Sequence, residues 1–165
     1  MTLERLWAGW RSEYVEGAAA ADDCVFCRIL ASDEGGQTTY IVRRDKFCAV
    51  VLNAYPYTSG HLMVMPVRHV GELEELEPDE VTGLWRELAD AVRALKVGYS
   101  PDGLNVGANL GRSAGAGVPG HFHMHCVPRW NGDTNFMTTL AETRMLPEAL
   151  PATYEKIKKA WPADG

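Results

Sequence analysis

Five histidines stand in two groups, His61 and His69, then His121, His123 and His125. The segment from His121 to Pro128 reads as a strand, on which residues two apart share a side. The three imidazoles would then line one face, with Phe122, Met124 and Cys126 turned into the core. A lone histidine there would be a satisfied core residue, but three in alternation each need a partner. One metal ion cannot take all three. At about 3.3 Å per residue, His121 and His125 lie ~13 Å apart, and metal–nitrogen bonds of roughly 2.1 Å do not close that gap. Two of the three can share a metal, and the third needs another task. Directly upstream, the Gly-rich run from Gly111 to Gly120, which includes Ser113 and Gly117, can aim backbone N–H groups at one anion. An anion held beside neutral imidazoles suits nucleophilic attack on phosphate, because imidazole brings no negative charge of its own.

The second reactive group is Cys24-Val25-Phe26-Cys27. Such a pair in a reducing compartment either binds metal or does redox work. The strand–turn–helix pattern of a thioredoxin-like redox motif is missing around it, which weakens the redox reading. Cys48 and Cys126 sit alone in apolar runs and read as buried small hydrophobes.

These side chains need elements to position them. Thr39 to Val42 and Phe47 to Leu52 read as two strands turning at Arg44-Asp45-Lys46, and His61 to Pro66 as a third. Val81, Leu84, Trp85, Leu88, Ala91, Val92 and Leu95 recur at helical spacing behind Pro78, with Gly98 as the stop. Gly103 to Leu110 is a fourth strand, His121 to Pro128 the fifth, and Pro151 to Trp161 a short helix. This order predicts an α+β fold, an antiparallel sheet with one main helix. Residues 1–21 form an amphipathic arm and linker with Trp7 and Trp10, and 22–165 a single catalytic domain.

Composition bounds the function. With 165 residues, 46% hydrophobic, the chain can build one core. Its 22 acidic against 16 basic residues give a net charge of −6, which argues against a sequence-independent nucleic-acid binder. No run has the length of a membrane span, and no signal-peptide pattern opens the chain, so a cytoplasmic protein is expected.

The run His121-Phe122-His123-Met124-His125-Cys126-Val127 resembles the signature of the histidine triad (HIT) family of nucleotide hydrolases and transferases. The likeness extends from about Cys24 to Phe136, through Ser59-Gly60-His61-Leu62-Met63-Val64-Met65-Pro66 and Asn105 to Gly111. The tail from Val127 to Phe136 is similar to the branch acting on dinucleoside polyphosphates, including diadenosine tetraphosphate phosphorylases. The resemblance implies a five-stranded antiparallel sheet in a homodimer, and a covalent nucleotidyl-histidine on His123. It implies phosphate contacts for His125 and His61, a ribose contact for Asn53, and a place at the phosphate end for Asn109. Val25, Phe26 and Ile29 would wall the base pocket, and Ser113, Gly117 and Trp130 would complete the nucleotide site. Relatives with an N-terminal C-x-x-C hold structural zinc, which here implies Cys24, Cys27, His69 and His121 as ligands. Many relatives carry Ser or Thr three residues before the first triad histidine. Val118 stands there, which disfavours phosphoramidate cleavage and leaves polyphosphate leaving groups unaffected. The competing readings are a phosphoramidase of the same family and a non-catalytic nucleotide-binding adaptor.

Overall fold

The structure, a computed structural model, describes residues 24–32, 37–133 and 148–163. The expected N-terminal arm with Trp7 and Trp10, and the tail residues Asn135 and Phe136, lie outside the described residues. Five strands form one antiparallel sheet: β1 (Ile41–Arg44), β2 (Cys48–Leu52), β3 (Leu62–Pro66), β4 (Gly103–Ala108) and β5 (Met124–Arg129). Their spatial order is β1-β2-β3-β5-β4, which makes β5, the strand reached by the triad, an inner strand between β3 and β4. Among the described residues there are three α-helices: α1 (Val25–Ala31), α2 (Pro78–Tyr99) and α3 (Leu150–Ala160). The α+β architecture is as expected from the sequence.

Alternation along the strands splits the apolar residues into two layers. Val50, Leu52, Leu62, Val64 and Cys126 face Leu84, Leu88 and Leu95 of α2. Ala49, Val51, Met63 and Met65 face the other way, against Phe26 and Leu30 of α1. A sheet covered on both faces needs strands buried throughout, and every residue of β2 and β3 is buried. Each large apolar side chain so buried contributes roughly 1.5–3 kcal/mol.

Several boundaries differ from expectation, each for a local reason. The β1–β2 turn begins one residue late because the Asp45 carboxylate accepts from the Phe47 and Cys48 amides, both at 2.7 Å, and so closes the turn itself. Gly98 does not stop α2. It lies inside the helix, where a Cβ would meet Ala160 and Lys156 of α3 at 3.5 and 3.6 Å, and Ser100 caps the helix in the left-handed region. The short helix α1 was not expected, although Phe26 and Leu30, four apart, give it one apolar face. Finally, β5 starts at Met124 and not at His121. Upstream of it, Phe122 N–H donates to Val70 O at 2.7 Å, so this stretch is held by the segment after β3 instead of by the sheet ladder.

Candidate active site and metal centre

The face of the sheet opposite α2 carries all the reactive side chains. Because His121 and His123 precede β5, the triad does not form a flat row. It divides into two groups that share a backbone.

The first group gathers Cys24 and Cys27 at the start of α1, His69 beyond β3, and His121. One ligand atom from each lies within 4.8 Å of all the others. Cys24 Sγ is 3.4 Å and Cys27 Sγ 3.6 Å from His121 Nδ1, and Cys27 Sγ is 3.2 Å from His69 Nδ1. Tetrahedral zinc, with bonds near 2.3 Å to sulfur and 2.0–2.1 Å to nitrogen, requires sulfur–nitrogen edges of about 3.5 Å. The spacing therefore fits zinc. The tautomer fits as well: His121 Nε2–H donates to Pro66 O at 2.9 Å, leaving the Nδ1 lone pair toward the two sulfurs. Burial is the main cause holding the His121 imidazole below its ordinary pKa, which keeps that lone pair unprotonated.

The second group gathers His61, His123 and His125. His123 Nδ1–H donates to its own neighbour's carbonyl, His121 O, at 2.8 Å. In neutral imidazole the lone pair is then on Nε2. Burial pushes the His123 pKa below its ordinary value, against the smaller opposing effect of that hydrogen bond. The ring is thus a neutral base with a nucleophilic nitrogen. His125 stands beside it, ring centroids 5.0 Å apart, and His61 is joined to His125 by a 2.9 Å bond between Nε2 and Nδ1. Phe26, buried on α1 between the two cysteines, meets both His121 and His123 edge-on at 5.5 and 5.0 Å.

The remaining expected residues are placed less uniformly. Val25 and Ile29 are half-buried beside Phe26, with Val118 against the same cluster. Asn53 directs its amide to His61 Nδ1 at 3.3 Å and its carbonyl to the Tyr55 N–H at 2.9 Å. Asn109 donates to Gly115 O at 3.4 Å and so braces the Gly-rich loop. Within that loop, Gly115 and Ala116 N–H donate to Arg112 O and Gly111 O, so these two amides close a turn instead of facing outward. Ser113 is exposed on the single 3-10 turn there, and Gly117 is half-buried. Trp130 is not beside the triad. It packs on Tyr99 of α2, ring centroids 6.2 Å apart. Arg129 is held by Asp133 at 2.6 and 2.7 Å and by Asn105 at 2.7 Å. Tyr57, absent from the sequence reading, touches His61 and His125 with its ring. Its spacing of four from His61, in a loop, carries no periodic signal.

A sequence profile described as HIT domain matches residues 34–132. The chain is 40% identical over 168 residues to a protein named AP-4-A phosphorylase from Mycobacterium tuberculosis, covering 96% of this chain and 85% of that one. It is 34% identical over 99 residues to an asymmetrical bis(5'-nucleosyl)-tetraphosphatase from Schizosaccharomyces pombe, covering 60% of this chain and 52% of that one. Among solved structures, a Zn-bound histidine triad family protein from Mycobacterium smegmatis superposes with a TM-score of 0.68 at 29% identity, covering 84% of this chain and 92% of the other.

Proposed function

The chain belongs to the HIT family, and from that premise we propose that it cleaves dinucleoside polyphosphates at an α-phosphate through a covalent bond to His123. The observation that carries this reading is the His123 Nδ1–H bond to His121 O, which leaves a buried, neutral Nε2 as the nucleophile. Nε2 attacks the α-phosphorus; a phosphorus–nitrogen bond forms and the bond to the departing nucleoside polyphosphate breaks. The imidazole becomes cationic, and its Nδ1–H strengthens its bond to the carbonyl as it does so. Water or inorganic phosphate then attacks the same phosphorus, the phosphorus–nitrogen bond breaks to restore His123, and the product is a nucleoside monophosphate or diphosphate respectively. His125 and His61 orient the phosphoryl group, and donors fixed in advance around its oxygens supply most of the rate enhancement.

The likeness to a phosphorylase over nearly the whole chain supports a polyphosphate substrate and phosphate as acceptor. Val118 supports it too: an apolar side chain packed near Phe26 offers no hydroxyl to protonate a leaving amine, and a polyphosphate needs none. Val25, Phe26 and Ile29 would wall the base pocket, Asn53 would turn to the ribose, and Asn109, Ser113 and Gly117 would meet the phosphates. Zinc on Cys24, Cys27, His69 and His121 would be structural, tying α1 to the chain just before β5. A homodimer fits the open edge of the sheet: β4 ends it, and Val106, Leu110 and, on α2, Trp85 are 44, 48 and 62% exposed.

Chromatography of the products from diadenosine tetraphosphate, with and without inorganic phosphate, tests the reading. ADP formed only with phosphate means phosphorolysis, and AMP in both means hydrolysis. No turnover under either condition overturns the proposal.

A further inference from the structure

Tyr57 contacts both histidines that flank the nucleophile. Its main-chain N–H donates to His61 Nδ1 at 3.1 Å, and its ring lies 4.6 Å from the His61 ring and 5.9 Å from the His125 ring. Both ring pairs are tilted, at 44° and 31°. The Asn53 amide donates to the same His61 nitrogen at 3.3 Å.

A main-chain N–H can only donate, so His61 Nδ1 keeps its lone pair and the His61 hydrogen lies on Nε2. That hydrogen is directed at His125 Nδ1, 2.9 Å away, which must therefore accept. The His125 hydrogen then lies on Nε2. The reverse order, with His125 donating to His61, would place a hydrogen on His61 Nδ1 facing the Tyr57 N–H, two donors against each other. A doubly protonated His125 meets the same conflict at the His61 Nε2–H.

The backbone that presents Tyr57 is itself fixed. Thr58 Oγ1 donates to Pro128 O at 2.8 Å, and His61 N–H to Thr58 O at 3.2 Å. Gly60, at φ +85°, fits where a Cβ would come within 3.0 Å of Leu95 and 3.2 Å of Tyr99. The loop is thus clamped to β5 and to α2 in the three residues that follow Tyr57.

We propose that Tyr57 is the positioning residue of the His61–His125 pair. Its N–H sets the hydrogen order, and its ring limits the rotation of both imidazoles, so that His125 presents an Nε2–H to a phosphoryl oxygen. The kinetic consequence rests on His123 being the nucleophile; the hydrogen order does not.

The test uses the full-length, zinc-loaded protein with nitrogen-15 histidines, in long-range proton–nitrogen correlation spectra at neutral pH and without substrate. In the unsubstituted protein His61 and His125 should each show the single tautomer with hydrogen on Nε2. Tyr57→Phe should keep both spectra and rate, whereas Tyr57→Leu should broaden or shift the two imidazoles. On diadenosine tetraphosphate, Tyr57→Leu should lower kcat about tenfold with KM nearly unchanged, as lost orientation does. A His125 hydrogen on Nδ1 in the unsubstituted protein would overturn the inference, and that spectrum decides even if Tyr57→Leu does not fold. Unchanged kcat in a folded Tyr57→Leu would overturn it, and so would a rise in KM alone, which would make the ring a binding wall. Absence of turnover by the unsubstituted protein would defeat the proposed function while leaving the spectra to judge Tyr57.

Discussion

His121 and His123 come from one alternating motif, two residues apart, yet their rings are wired in opposite senses. At the metal end the Pro66 carbonyl takes the Nε2–H of His121 and leaves Nδ1 to face the cysteines. At the proposed phosphate end the His121 carbonyl takes the Nδ1–H of His123 and leaves the Nε2 lone pair open. Which ring nitrogen the main chain engages decides which one remains for chemistry. The two ends also meet in a single residue, since the side chain of His121 belongs to the candidate metal cluster while its carbonyl accepts from His123.

The sharpest way to break this contrast is to remove one imidazole from each end. On the proposed covalent route, His123→Ala should reduce kcat by about a thousandfold or more, since that route leaves no other group to form the bond to phosphorus. Its melting temperature should change little beyond the loss of one buried ring. Turnover near the normal rate would mean that the covalent route is wrong.

At the metal end the expected order of effects reverses, with stability first and rate second. Zinc should co-purify at about one ion per chain, as a four-ligand site requires. Cys24→Ser or His69→Ala should release it and lower the melting temperature by roughly 5–10 °C, because the binding energy of a structural metal is folding energy. The rate should fall as well, through the His121 carbonyl. Elemental analysis finding no metal in protein purified without chelator would return the cysteine pair to a redox role.

A smaller effect asks whether the metal end can loosen while the sheet stays folded. Burial pushes the Cys48 and Cys126 thiols up to about 12, so neither offers a thiolate near neutral pH. With zinc bound, a thiol reagent should find no fast-reacting cysteine. A chelator should expose Cys24 and Cys27 first, and Cys48 and Cys126 should react only on unfolding. Four thiols reacting in one phase would show that the metal holds the whole domain together.

What the sequence could reveal follows the same division. The β2 and β3 runs and the α2 periodicity are statements about burial, and burial is what apolar patterning encodes. Spacing set aside a single ion for the three triad histidines, while the division of all five between the two ends rested on the family resemblance. The start of β5 at Met124 was not legible, because it depends on Phe122 N–H finding the Val70 carbonyl, a partner set by tertiary packing. Gly98 misled for a related reason: a glycine that lies inside α2, facing α3, looks in one dimension like a helix stop. Tyr57 was invisible because its contribution runs partly through its main chain, which residue type does not record.

The smallest expected effect belongs to Trp130. Residues alternate along β5, so Trp130 continues the side of Cys126 and Pro128, and its ring meets Tyr99 of α2. Tyr99 in turn donates to Glu148, which also accepts from Thr153 of α3 at 2.9 Å. Within one chain Trp130 is therefore packed on the helical side, away from His123. It can meet substrate only if a second chain brings its own active site to that side. Trp130→Ala should then raise KM for a dinucleoside polyphosphate several-fold while kcat and the far-ultraviolet circular dichroism stay close to normal, the pattern of lost uniform binding. A lower melting temperature with unchanged KM would assign Trp130 to packing on Tyr99 alone. Sedimentation of a stable, fully active monomer would remove the second chain, and with it any route from Trp130 to the phosphate end.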